Sequence, residues 1–134
     1  MDVALAIAGL ICVALALGHE TLGLMWILPG LSEERLPRTP FGPPSMTEGM
    51  LRVTWHIVTI FAVAVGVLLM VLAWAPTADP KTVLLRWFAA MWLAATAMAV
   101  WVAGRRMRSP RGLLRLPVPL LWAVVAVLCW EAST

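Results

Sequence analysis

The stretch Val3–Leu28, VALAIAGLICVALALGHETLGLMWIL, decides the fold class of this chain. Glu20 is the only Asp, Glu, Lys or Arg in the run. An α-helix rises about 1.5 Å per residue, so a run of this length crosses a hydrocarbon layer of about 30 Å. The sequence therefore predicts a membrane-spanning helix at its N-terminal end.

The composition of the whole chain agrees with this interpretation. The 134 residues are 62% hydrophobic and only 13% charged, whereas a soluble domain has about half apolar and a quarter charged residues. An ordinary soluble protein is thereby excluded, and the lipid bilayer is the expected partner. The net charge of +3 does not indicate nucleic acid binding, because the basic residues lie between the apolar runs and mark topology instead.

The apolar runs predict an all-α integral membrane protein, an antiparallel bundle of four transmembrane helices in a single domain. A proline-rich loop at 29–45 follows the first helix, and Ser45 and Glu48 have the spacing of a capping box that begins the second. Pro117 and Pro119 interrupt the last run, so the fourth span is expected to be short, tilted or re-entrant. The predicted spans are 3–28, 46–74, 80–103 and 113–131.

The distribution of basic residues predicts the orientation in a bacterial-type inner membrane. Loops one and three are rich in arginine, whereas loop two has only Lys81 and Arg86 and the termini have no basic side chain. Basic loops are retained in the cytoplasm, so both termini are expected outside. The arginines behind this prediction are Arg35, Arg38, Arg52, Arg105, Arg106, Arg108, Arg111 and Arg115.

Three polar residues inside the predicted spans are the candidate functional residues. His19 and Glu20 in helix one and His56 in helix two lie roughly 10–14 Å from the cytoplasmic surface, counted along each helix at its rise per residue. Because the two helices are antiparallel, the matching depth allows the two imidazoles to meet. Glu20 points about 100° away from His19, so at least one of the two is expected to face a third helix or a crevice.

Four functions are compatible with this group. His19 and His56 can bind b-type haem axially, with Arg52 near the propionates, as in the membrane cytochromes b, which the helix count and the histidine pair resemble. Otherwise His19, His56 and Glu20 can bind zinc, iron or copper. The polar residues can instead only fix helix packing in a structural subunit with no cofactor, or Glu20 can bind a proton in a transporter that resembles the small multidrug resistance exporters in outline.

Two segments resemble a pattern of uncharacterised small bacterial membrane proteins with one histidine in helix one and a Trp-His pair in helix two. The segments are Leu17-Gly18-His19-Glu20-Thr21-Leu22-Gly23 and Leu51-Arg52-Val53-Thr54-Trp55-His56. The likeness covers the first two helices and implies a paired role for His19 and His56. It implies no substrate, and a homo-oligomer or a larger membrane complex is the expected assembly.

Overall fold

The computed structural model describes residues 1–40, 42–76, 79–107 and 118–134, and all of the regular structure among them is helical. The α-helices are α1 (Val3–Leu22), α2 (Pro44–Leu72), α3 (Asp79–Met107) and α4 (Val118–Glu131). Helix α1 continues through one π-helical turn, Gly23–Ile27, into a 3-10 turn, Leu28–Gly30. A second 3-10 turn covers Glu33–Arg35.

Three of these helical segments are long and apolar enough to cross a membrane. They are Val3–Gly30, Pro44–Leu72 and Pro80–Trp101, with mean hydropathies of 2.0, 2.5 and 1.7. Large side chains such as Ile60 and Phe61 are two-thirds exposed, so they require lipid rather than water around them. The all-α class and three long apolar helices agree with the sequence analysis. The complete four-helix transmembrane bundle and its orientation stay predictions.

Helix α4 has 14 residues and is short, as expected. The predicted start of this span at 113 lies outside the described residues, as do Arg108, Arg111 and Arg115. Helix α2 begins two residues before the predicted position 46, at Pro44, so Ser45 lies in the first turn and is not the N-cap that the capping box predicts. The carbonyl of Pro43 accepts the N–H groups of Met46 at 3.0 Å and Thr47 at 3.3 Å, which are the first backbone hydrogen bonds of the helix.

The described chain divides into two compact units. We call Val13–Val65 the polar unit, and Met1–Cys12 together with Gly66–Thr134 the apolar unit. The apolar unit has a core of small and aliphatic side chains, and it includes the packing of α3 against α4. Its fully buried side chains include Leu5, Ala8, Cys12, Leu69, Leu85, Val125, Ala126 and Cys129, and both cysteines are free.

The polar unit contains the end of α1, the loop and the first part of α2. Its loop reverses direction at Thr39 and Gly42, whose backbone groups exchange hydrogen bonds of 3.2 and 3.1 Å. Gly42 has φ +147°, and an added Cβ would lie 2.7 Å from the sulfur of Met46. Glycine is therefore required at this turn, which returns the chain to the start of α2.

Candidate functional site

The site is formed where α1 changes its hydrogen-bond pattern within the polar unit. The N–H of Leu28 bonds to the carbonyl of Gly23, which makes the turn Gly23–Ile27 one residue wider than an α-helical turn. Gly23 is buried, and a Cβ added there would overlap the indole ring of Trp55. The missing side chain thus allows α1 to approach α2 closely at this level.

Glu20 connects the two helices through both of its carboxylate oxygens. Its Oε1 lies 2.6 Å from Nδ1 of His56, and its Oε2 accepts a hydrogen bond of 2.7 Å from the hydroxyl of Thr59. The side chain of Glu20 is 24% exposed and that of His56 is 44% exposed. Glu20 is therefore fixed from two sides, whereas the imidazole that it holds remains accessible on its other edge.

His19 is held in a different way. Its ring is stacked on Trp55, with ring centroids 4.0 Å apart and an angle of 8° between the planes. Nε2 of His19 and Nε1 of Trp55 are both buried and have no hydrogen-bond partner in the part of the chain that the structure describes. His19 is therefore held by an aromatic stack, while Glu20, its neighbour in sequence, makes the polar contacts.

Arg52 lies one turn before His56 and contacts the end of the first span. Its Nη2 donates to the carbonyls of Leu28 at 3.0 Å and Leu31 at 3.4 Å, and its Nε donates to Glu48 at 2.8 Å. These carbonyls lie where the helical segment ends and carry partial negative charge, and the carbonyl of Leu28 also accepts the N–H of Leu31 at 3.2 Å. In this structure Arg52 fixes the end of the span, and its predicted contact with haem propionates stays a prediction.

The structure corrects one expectation about helix faces. Neither His19 nor Glu20 needs a third helix, because both reach α2: His19 contacts Trp55, and Glu20 contacts His56 and Thr59. Two side chains 100° apart can lie on either side of the line along which two helices touch. The depth argument predicted that the imidazoles of His19 and His56 could meet, whereas in the structure the residue that contacts the His56 ring is Glu20.

Two contributors to the site were missed in the sequence analysis. Thr59 is absent from the predicted site residues, although its spacing of three residues from His56 predicts a shared face. Trp55 entered the sequence analysis only as part of the Trp-His pair of helix two. Gly23 carried a signal for a close contact, because small residues in membrane helices allow a neighbouring helix to approach.

The described residues contain no group of three or more His, Cys, Asp and Glu side chains placed to hold a metal ion. His56 and Glu20 are brought together, but the complete set of His19, His56 and Glu20 around one ion stays a prediction. The chain matches no protein-family model, no curated protein and no solved structure. The function is therefore inferred from the site alone.

Proposed function

We propose that this chain is a small membrane protein of the bacterial inner-membrane type that binds a cofactor through His56, as a redox or accessory subunit. The cofactor is most concretely b-type haem and otherwise a zinc, iron or copper ion. One observation carries the proposal, the 2.6 Å contact between Oε1 of Glu20 and Nδ1 of His56.

The physical reason lies in the two nitrogens of the imidazole. When Nδ1 donates its proton to a carboxylate, Nε2 is the unprotonated nitrogen, and its lone pair is available to a metal. A carboxylate on the far nitrogen also fixes the ring orientation and raises the basicity of the ligating nitrogen. Thr59 supports this arrangement, since its hydroxyl bond to Oε2 limits rotation of the Glu20 carboxylate.

The exposure of His56 favours the same assignment. The His56 side chain is 44% exposed within an apolar helix, and Nδ1 is its only side-chain nitrogen with a hydrogen-bond partner among the described residues. A polar nitrogen left unpaired in hydrocarbon is costly, so an iron or metal ion is a suitable partner for Nε2. The ligand would then approach from the open side of α2.

A second candidate function is supported by the same short contact. A carboxylate and an imidazole that share a hydrogen bond inside a membrane span can take up and release a proton. In that case Glu20 is the proton-binding group of a small proton-coupled transporter. The two candidates differ in what His56 Nε2 contacts, which is a metal centre in the first case and water or substrate in the second.

Absorption spectroscopy and elemental analysis of protein purified in detergent distinguish these functions. Cells are supplied with a haem precursor and trace metals, and wild-type protein is compared with His56→Phe and with Glu48→Gln, a control that changes the carboxylate next to Arg52. An intense Soret band that His56→Phe abolishes supports haem binding. One equivalent of metal that depends on His56, without colour, supports the metal site.

Protein that carries neither haem nor metal, and that shows no shift when titrated with haem, contradicts the proposed function. Proton release measured on adding candidate cationic substrates, abolished by Glu20→Gln, would then favour the transporter. If Glu20→Gln changes stability alone, the polar residues act only in helix packing.

A further inference from the structure

The proposed function requires a second ligand besides His56, because bis-imidazole haem takes one nitrogen on each side of the iron. This chain contains only two histidines, His19 and His56. The sequence predicts that both serve one iron within one chain. Their surroundings in the polar unit differ in a way that bears on this prediction.

His19 is poorly placed to be the second ligand. Nε2 of His19 is buried, and its ring is stacked at 4.0 Å on Trp55. An iron needs open space along the direction of the ligating lone pair, which a buried nitrogen lacks. To ligate through this atom, His19 would have to leave a nearly parallel aromatic stack. His56 has no such obstacle, because its side chain is 44% exposed, so Nε2 of His56 is the better placed of these two Nε2 atoms.

The surface of α2 beside His56 is open. Gly49, Val53 and Ile60 lie seven and three residues before His56 and four residues after it, so they share its side of the helix. All three are exposed, and a Cβ added at Gly49 would meet nothing within 4 Å. An open groove of about 450 Å³ starts at this glycine and is lined by Met46, Gly49, Met50, Val53 and Thr54.

An open groove on one helix covers only one face of a flat ring, whereas ligand sites bury most of the surface of their ligand. A second wall of the same chemistry, with an imidazole at the same level, exists on another copy of this chain. Two copies related by a twofold axis bring identical faces together, and each residue then meets its own counterpart. Such a pairing also covers the half-exposed His56 in the membrane.

We infer that a second copy of this chain completes the site, and that Nε2 of His56 in each copy binds opposite sides of one haem iron. This inference rests on the proposed function. In the resulting homodimer, Glu20 and Thr59 of each copy hold the ligating imidazole, while His19 stays stacked on Trp55. The twofold axis passes through the iron between the two α2 helices.

The first test measures haem stoichiometry and spin state in detergent-purified, haem-loaded protein. His19→Phe preserves an aromatic ring on Trp55 but removes both nitrogens, so it is expected to keep one low-spin haem per two chains. His56→Phe is expected to lose that haem. One haem per chain that becomes high-spin in His19→Phe would overturn the inference, since His19 would then be the second ligand, and it would leave the proposed function intact.

The second test uses a mixed dimer, isolated by two affinity tags, of one wild-type copy and one His56→Ala copy. With a single imidazole, its haem is expected to become high-spin and five-coordinate, and added imidazole is expected to restore the low-spin spectrum. A mixed dimer that stays low-spin, or a monomer with low-spin haem, contradicts the second-copy ligand. Absence of any His56-dependent haem in wild-type protein is the distinct failure of the proposed function, and it removes the inference too.

Discussion

The two compact units join their helices by different means. In the polar unit, side chains far apart in sequence share hydrogen bonds, as Glu20 does with His56 and Thr59. In the apolar unit, hydroxyl groups bond mainly to nearby carbonyls, such as Thr96 to Trp92 and Ser133 to Trp130. The apolar unit relies on close packing, which requires no ionisable group. Helix packing does not require the ionisable pair Glu20 and His56 of the polar unit. This is the reason to assign the pair a function.

Both units have a basic side chain that donates to carbonyls near the end of the preceding helix. In the polar unit, Arg52 near the start of α2 donates to carbonyls at the end of the preceding span. In the apolar unit, Lys81 near the start of α3 is buried and donates to the carbonyl of Ala75 at 3.1 Å. Carbonyls at the end of a helix carry partial negative charge, so a cation from the next helix is a favourable partner for them. Both units therefore use a basic side chain to bond carbonyls near the end of the preceding helix.

The largest loss of stability is expected from substituting the glycine that another helix contacts most closely in each unit. Gly23→Ala drives a Cβ into Trp55 in the polar unit, and Gly9→Ala places one 2.5 Å from the carbonyl oxygen of Gly66 in the apolar unit. Each substitution is expected to lower the free energy of unfolding by about 1–3 kcal/mol, the usual cost of overpacking. Reversible unfolding in mixed detergent micelles measures the change.

Gly18→Ala is the matched control, because an added Cβ there meets nothing within 4 Å. It is expected to be neutral or to stabilise helix α1 by up to about 1 kcal/mol. The apolar unit contains none of Glu20, His56 and Thr59, so Gly9→Ala should leave haem or metal affinity unchanged per folded molecule, whereas Gly23→Ala should reduce it. Equal effects on affinity would show that the two units are not functionally distinct.

Glu20→Gln tests whether the polar unit orients a ligand. The amide keeps the size of the side chain but loses the charge that fixes the proton on Nδ1 of His56. A lost partner of a ligating histidine costs about 10 to 100-fold in affinity, and we expect a reduction of this size for haem or metal. Glu48→Gln is the control in the same unit, since Glu48 contacts Arg52 rather than His56. An equal loss in both variants would indicate a general effect of charge.

These comparisons show what the sequence determines. Hydropathy and proline positions predicted the long helices because length and apolar surface alone define a span. The start of α2 at Pro44 was missed, because the spacing of Ser45 and Glu48 pointed to Ser45 as the N-cap, whereas proline is well tolerated at the first helical position. Depth predicted that the imidazoles of His19 and His56 could meet, and in the structure Glu20 contacts His56 instead. Which of His19 and Glu20 contacts His56 depends on the rotation of α1 about its axis. The close contact between Gly23 and Trp55 bears on that rotation, and it is not visible in the sequence.

Arg52→Met and Lys81→Met compare the basic side chains that donate to helix-end carbonyls in the two units. Each removes charged hydrogen bonds to carbonyls, so each is expected to destabilise the protein by about 1–2 kcal/mol. Arg52→Met also leaves Glu48 without its partner, although a half-exposed ion pair contributes only about 0–1 kcal/mol. The double variant Glu48→Gln with Arg52→Met separates these parts, because any recovery of stability relative to Arg52→Met measures the unpaired carboxylate. Full recovery would contradict a role for the carbonyls of Leu28 and Leu31.

The smallest expected effect compares two threonines of the polar unit that have the same local bond but different neighbours. Thr59 donates to the carboxylate of Glu20 and lies 3.3 Å from the carbonyl of Trp55, whereas exposed Thr21 donates only to the carbonyl of Leu17 in its own helix. Interhelical hydrogen bonds in membranes average about 0.6 kcal/mol, so Thr59→Val should lower stability by about that amount. Thr21→Val should change it by less, because its hydroxyl bonds only within α1. Since valine preserves the shape of threonine, the difference between the variants isolates the bond to Glu20.

A double-variant cycle of Thr59→Val with Glu20→Gln should show coupling between the two sites. Additive effects would mean that the hydroxyl does not hold the carboxylate in place.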